Sequence, residues 1–112
     1  MTDLLTPASL IATLSGIGRD LDEKSDEIAA LDEAHVRLKG AYKSQFARTF
    51  LTTAGSNDVR RYTAELQCAD LSLEVELAEQ VLRAGRESLR VLRDRLEIGR
   101  SLGALLRTEW NS

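Results

Sequence analysis

The sequence is poor in the residues that build sites. It has one proline, one cysteine, one histidine, one tryptophan, two tyrosines and two phenylalanines. A lone Cys68 excludes an internal disulfide, and with His35 it makes neither a zinc ligand set nor a nucleophile–base pair in a plausible orienting environment. Cys68 reads instead as a small buried apolar residue, and His35 as a packed or interfacial one. The Glu-x-x-His repeat of helical di-metal sites is absent. Gly16-Ile17-Gly18 lacks the downstream glycine and lysine of a phosphate loop. Carboxylates are plentiful but fall in solvated runs, where nothing raises a pKa toward neutrality. These gaps point away from an enzyme, with no cofactor and no metal expected. There is also no apolar run long enough to span a bilayer and no basic-then-apolar leader, so a soluble, cytoplasmic protein of a bacterial host cell with no membrane partner is expected.

The residues that are abundant are alanine, leucine, glutamate and arginine, the composition of long helices. Residues 1–6 read as a short frayed tail. Thr6 can cap a helix whose first position is Pro7, where the missing N–H is harmless. An apolar seam follows at heptad spacing: Leu14, Ile17, Leu21, Ile28, Leu31, Leu38 and Tyr42, with Lys24, His35 and Gln45 as polar interruptions. Gly16-Ile17-Gly18 could split off a short first helix. Ala54-Gly55-Ser56-Asn57 is the one strong interior turn signal. Gly55 suits a left-handed helix end, and Ser56, Asn57 and Asp58 are all good caps for what comes next. The expectation is a single all-α domain over 1–112, a long antiparallel two-helix hairpin with coiled-coil-like packing. Helix one covers about 8–53, the turn 54–57, and helix two about 58–110.

The second helix carries two apolar stripes. One is Cys68, Leu71, Val75, Ala78, Leu82, Gly85, Leu89, Leu92, Leu96, Gly99, Gly103 and Leu106. The other is Tyr62, Leu66, Ala69, Leu73, Leu77, Val81, Ala84, Val91, Ile98, Leu102 and Leu105. Together they are wider than one partner helix can cover. The first helix can bury one stripe; the other calls for a further copy of the chain, giving a homo-oligomeric helical bundle. Leu77, Val81, Val91, Ile98, Leu102 and Leu105 are the expected oligomer interface. Gly85, Gly99 and Gly103 suit close approach of two backbones or a bend, and Trp110 is either an oligomer anchor or a loose tail residue.

Charge is segregated although the net charge is only −3. Residues 20–34 carry Asp20, Asp22, Glu23, Asp26, Glu27, Asp32 and Glu33 against Lys24. Residues 35–61 carry Arg37, Lys39, Lys43, Arg48, Arg60 and Arg61 against Asp58. Arg86, Arg93, Arg100 and Arg107 recur every seven residues, flanked by Arg83 and Arg90. Such segregation can set the register of a hairpin or of adjacent subunits, or an arginine stripe can track phosphates. A hairpin turning at 55–57 pairs positions whose numbers sum to about 112. Lys39, Lys43, Arg48, Arg60 and Arg61 then gather at the turn end with Tyr42, Phe46, Phe50 and Tyr62. Cations interleaved with rings are what a single-strand binder uses, although the same rings can simply pack the tip.

Two stretches carry a resemblance. They are Ala34-His-Val-Arg-Leu-Lys-Gly-Ala-Tyr-Lys-Ser-Gln-Phe-Ala-Arg-Thr-Phe-Leu51, and Glu76-Leu-Ala-Glu-Gln-Val-Leu-Arg83 continuing through Arg95-Leu-Glu-Ile-Gly-Arg-Ser-Leu-Gly-Ala-Leu-Leu-Arg-Thr-Glu109. From about residue 20 onward the chain resembles small helical proteins of actinobacterial tailed phages and prophages. By analogy of role with phage recombination mediators, the resemblance implies an oligomeric accessory of DNA recombination or replication. Such a protein binds single-stranded DNA, a recombinase, or both. Two other roles fit the same shape: a protein-interaction module that inhibits a host factor or defence protein, and a virion assembly component without nucleic-acid binding.

Overall fold

The computed structural model describes residues 6–111. The tail expected over residues 1–6 lies outside the described residues apart from Thr6. Among the described residues the chain is all helical, with no strand: α1 spans Pro7–Thr52, α2 Asn57–Gln67 and α3 Ala69–Trp110.

The ends of these helices follow from a few residues. The Thr6 hydroxyl accepts from the Ser9 N–H at 3.0 Å, and the Ser9 hydroxyl accepts from the Thr6 N–H at 2.9 Å. This is a reciprocal capping box with serine in place of the usual acid, set directly before Pro7. The helix then runs through Gly16 and Gly18 without a break. A flexible pair weakens a helix locally, but seam residues on either side hold it. At the far end the hydroxyls of Thr52 and Thr53 donate to the carbonyls of Arg48 and Thr49, and α1 stops. Gly55 follows with φ at +119°, a backbone conformation that side chains rarely adopt. It sits three residues past the last helical residue, beyond the immediate cap position. Of the three candidate caps for the next helix, Ser56 fills the role, its hydroxyl accepting from the Val59 N–H at 3.3 Å.

The single helix expected over about 58–110 is interrupted at Cys68, where φ is −97° and ψ 7°. The interruption is local. Cys68 N–H still donates to the Ala64 carbonyl at 2.9 Å, and the Cys68 carbonyl accepts from the Ser72 N–H at 2.8 Å. The hydrogen-bond ladder therefore runs on from α2 into α3.

The described chain divides into two compact units: residues 6–27 with 85–111, and residues 28–84. In the second unit Ala64, Cys68 and Leu82 are almost wholly buried, together with the hydroxyl-bearing Thr49. Thr49 remains satisfied through its contact with the Gln45 amide at 3.3 Å. Cys68 is free and buried, as its isolation in the sequence implied. In the first unit Leu10 is the only large side chain buried to a comparable degree. There the approach between helices is made by small residues. A Cβ placed on Gly99 would overlap Leu14 Cδ2, and one placed on Gly103 would come within 3.3 Å of Leu10 Cδ2. Each pair adds to one more than 112, so numbers fall along α1 as they rise along α3 in this unit.

Candidate interaction surfaces

Every residue of the first stripe on α2 and α3, from Cys68 to Leu106, is buried or half-buried. Every residue of the second is exposed. A helix shows this pattern when one side has a partner and the neighbouring side, about 100° away, has none. In the unit formed by residues 28–84, the bare face carries Tyr62, Leu66, Leu73, Leu77 and Val81, with Leu66 79 % exposed. In the other unit it carries Val91, Ile98, Leu102 and Leu105, the second and fourth each 68 % exposed. A shallow groove beside Val91 is lined by Glu87, Ser88, Leu92 and Arg95. Isolated exposed leucines are ordinary, but rows at heptad spacing are not.

Surface ion pairs run along single helices, joining residues three or four apart, among them Lys24–Glu27, Arg37–Glu33, Arg61–Asp58, Arg83–Glu79, Arg90–Glu87 and Arg100–Glu97. These spacings are the ones at which helical side chains meet. Three charges that stand in the bare face have no such neighbour. Asp70 and Glu74 have no cation, and Arg95 no carboxylate, three or four positions away. Among the described residues none of the three forms an ion pair.

The cations and rings expected to gather near the turn do so only in part. Lys39 and Lys43 are exposed one turn apart on α1, and among the described residues neither forms an ion pair. Arg48 is also exposed, but lies about 180° round the helix from Lys39 at roughly 100° per residue, and it donates to the Ser44 hydroxyl at 3.1 Å. Arg60 is half-buried, and its Nε is enclosed without a hydrogen bond. Arg61 pairs with Asp58 and lies over the Tyr62 ring, 5.0 Å from its centre. The Tyr62 hydroxyl, then the Asp58 carboxylate, push the Arg61 pKa above its already high value, so this group stays charged throughout. Tyr42 and Phe46 are half-buried and pack on each other, ring centres 6.0 Å apart and tilted by 45°. Phe50 is half-buried as well. Tyr62 is thus the one ring of the set that is largely exposed, and it is already under a guanidinium. Between Glu33 and Asp58, however, the chain has no acid at all.

Trp110 lines an apolar cleft of about 260 Å³ with Pro7, Leu10, Ile11, Leu14 and Gly103, rimmed by Arg100 and Arg107. His35 is half-buried, in keeping with its place on the seam of α1. Among the described residues no three His, Cys, Asp or Glu side chains come together as a metal site. Nor, among the described residues, is any helix long and apolar enough to cross a membrane. Comparison with protein-family models, with curated proteins and with solved structures finds no match to this chain.

Proposed function

We propose that this chain is a non-enzymatic helical interaction protein that works as a homo-oligomer in the cytoplasm. In this reading α1 folds back on α2 and α3 as a long antiparallel hairpin, and hairpins assemble into a bundle through the bare face of α2 and α3. The observation that carries the proposal is the exposure of the entire second stripe. Removing apolar surface from water is worth about 25 cal/mol per Å², and rows of leucine, valine and isoleucine at heptad spacing are what a further helix covers. Sedimentation equilibrium tests it. The protein is expected to be oligomeric at about 10 μM and above, where obligate oligomers persist. A monomer across that range overturns the proposal.

A second reading keeps the DNA-recombination role suggested by the likeness to phage proteins. In it the oligomer binds single-stranded DNA, a recombinase, or both. It is favoured by the acid-free stretch from residue 34 to 57, whose exposed Lys39, Lys43 and Arg48 would meet phosphates. Several copies would multiply weak contacts through effective concentration. Titration of single-stranded and duplex DNA at two salt concentrations decides between the readings. DNA accessory function predicts binding that falls steeply with salt and is lost in a K39E/K43E variant whose oligomer is unchanged. No binding at low salt leaves the protein-interaction role, with a host factor, a defence protein or a virion component as the partner.

A further inference from the structure

The bare face is not uniformly apolar, and its interruptions are of opposite sign in the two units. Residues 28–84 place Asp70 and Glu74 between Leu66 and Leu77, whereas residues 85–111 place Arg95 between Val91 and Ile98. Three arginines of α3 that lie outside this face are satisfied locally: Arg83 by Glu79, Arg90 by Glu87 and Arg100 by Glu97. Among the described residues Asp70, Glu74 and Arg95 have no ion-pair partner, and they are the charges that an apolar docking would bring close to a second surface. Covering them without a counter-charge would be costly.

We infer that the occupant of this face is a second copy of the chain docked antiparallel, with Arg95 of one copy between Asp70 and Glu74 of the other. This rests on the self-association proposed above and adds its orientation and register. When Arg95 stands opposite Asp70, Val81 faces Ala84 near the two-fold axis. Ile98 and Leu102 then lie over the segment holding Leu66 and Tyr62 of the other copy. The small Ala84 at the centre lets the two helices come close. Because each copy carries both faces, the exchange is reciprocal: two arginine–carboxylate clusters form and the pair closes on itself. A parallel docking could also bring Arg95 to Asp70, but only by sliding one copy along the other by the separation of those residues. One face of each kind would then be left bare, and copies would add without limit.

Three full-length variants, D70K/E74K, R95E and the combined D70K/E74K/R95E, test this by sedimentation, with helix content followed by circular dichroism. All the positions are exposed in the single chain, so helix content is expected to hold. The parent protein is expected to form a closed oligomer of fixed mass. Each of the first two variants should weaken association by about tenfold or more, as expected when like charges are brought together at an interface. The combined variant, and an equimolar mixture of the first two, should restore it. A parent oligomer indifferent to single reversal, or a combined variant that stays dissociated, overturns the antiparallel pairing while self-association stands. Open-ended growth with concentration overturns it in favour of the staggered parallel form. A monomeric parent overturns the pairing and the self-association together.

Discussion

The two compact units solve the same packing problem with different residues. Residues 28–84 bury Ala64, Cys68, Leu82 and Thr49, so their interior is made of side chains. Residues 6–27 and 85–111 bury little beyond Leu10, and bring backbones close at Gly99 and Gly103 instead. Glycine permits approach but contributes no side chain, and it weakens a helix by roughly 1 kcal/mol relative to alanine. The unit rich in glycine is therefore the thinner one and gains more from being covered from outside. The charge pattern reverses between them as well. In the thinner unit α1 supplies Asp20, Asp22, Glu23, Asp26 and Glu27 while α3 supplies most of the arginines; in the other, α1 is basic and α2 with the start of α3 is acidic. Segregation that looks like a ligand site in the sequence is thus reproduced, with opposite sign, on either side of residues 27 and 85.

The sharpest way to break this contrast is to hollow out the richer unit. Leu82 is only 3 % exposed, and Leu82→Ala is expected to cost about 2–4 kcal/mol in urea denaturation. Leu10→Ala, in the thinner unit, should cost about half as much, because Leu10 sits beside an open cleft whose wall can relax. Equal losses would mean that the two units are equally dependent on side-chain burial.

Association should respond in the opposite sense. Val91→Asp with Ile98→Asp places two carboxylates on the bare face of the thinner unit. Dissociation is expected to be favoured by about 100-fold or more, since a buried unpaired charge costs several kcal/mol. Helix content should largely persist. A sedimentation profile identical to the parent's would show that this face is not what copies share.

Much of this was legible in residue spacing. Spacing puts the stripe from Cys68 through Leu82 to Leu106 on one face, and every member of it is buried or half-buried. The Thr6–Pro7 start and the Ser56 cap were readable because each residue type answers a specific unsatisfied N–H. The break at Cys68 was not, because cysteine has no strong backbone preference and its φ and ψ are set by surrounding packing. Tyr42 lies on the α1 seam and Phe46 one turn further on, so heptad spacing already implied that these rings would face the interior rather than a base. Arg60 obeys the same spacing: it stands four residues before Ala64 and eight before Cys68, on the buried side of the helix, whereas Arg61 is turned about 100° from it.

The turn offers a smaller effect, confined to the richer unit. Gly55 holds φ at +119°, and a Cβ there would stand 3.2 Å from the Val59 side chain. Gly55→Val should destabilise by about 1–2 kcal/mol through both strain and crowding. Ser56→Ala should cost about 1 kcal/mol by leaving the Val59 N–H without its acceptor. If both changes leave the denaturation midpoint unmoved, the turn is not a determinant of how α1 gives way to α2.

The smallest effect is expected on the surface of the same unit. Arg37 donates to one Glu33 oxygen through both Nε, at 3.0 Å, and a terminal nitrogen, at 2.8 Å. The geometry is good, yet the two side chains are 77 % and 64 % exposed. Water competes for both groups, and holding two long side chains in one arrangement costs entropy. Glu33→Gln should therefore lower stability by no more than about 0.5 kcal/mol at low salt, and by less as salt rises. Comparing it with Arg95→Glu separates two kinds of charge. Loss of the Arg37 pair should alter unfolding slightly and association not at all, whereas reversal of Arg95 should alter association while leaving helix content intact. A reversal of those outcomes would place the functional charges on α1 and return the basic, acid-free stretch to the centre of the protein's role.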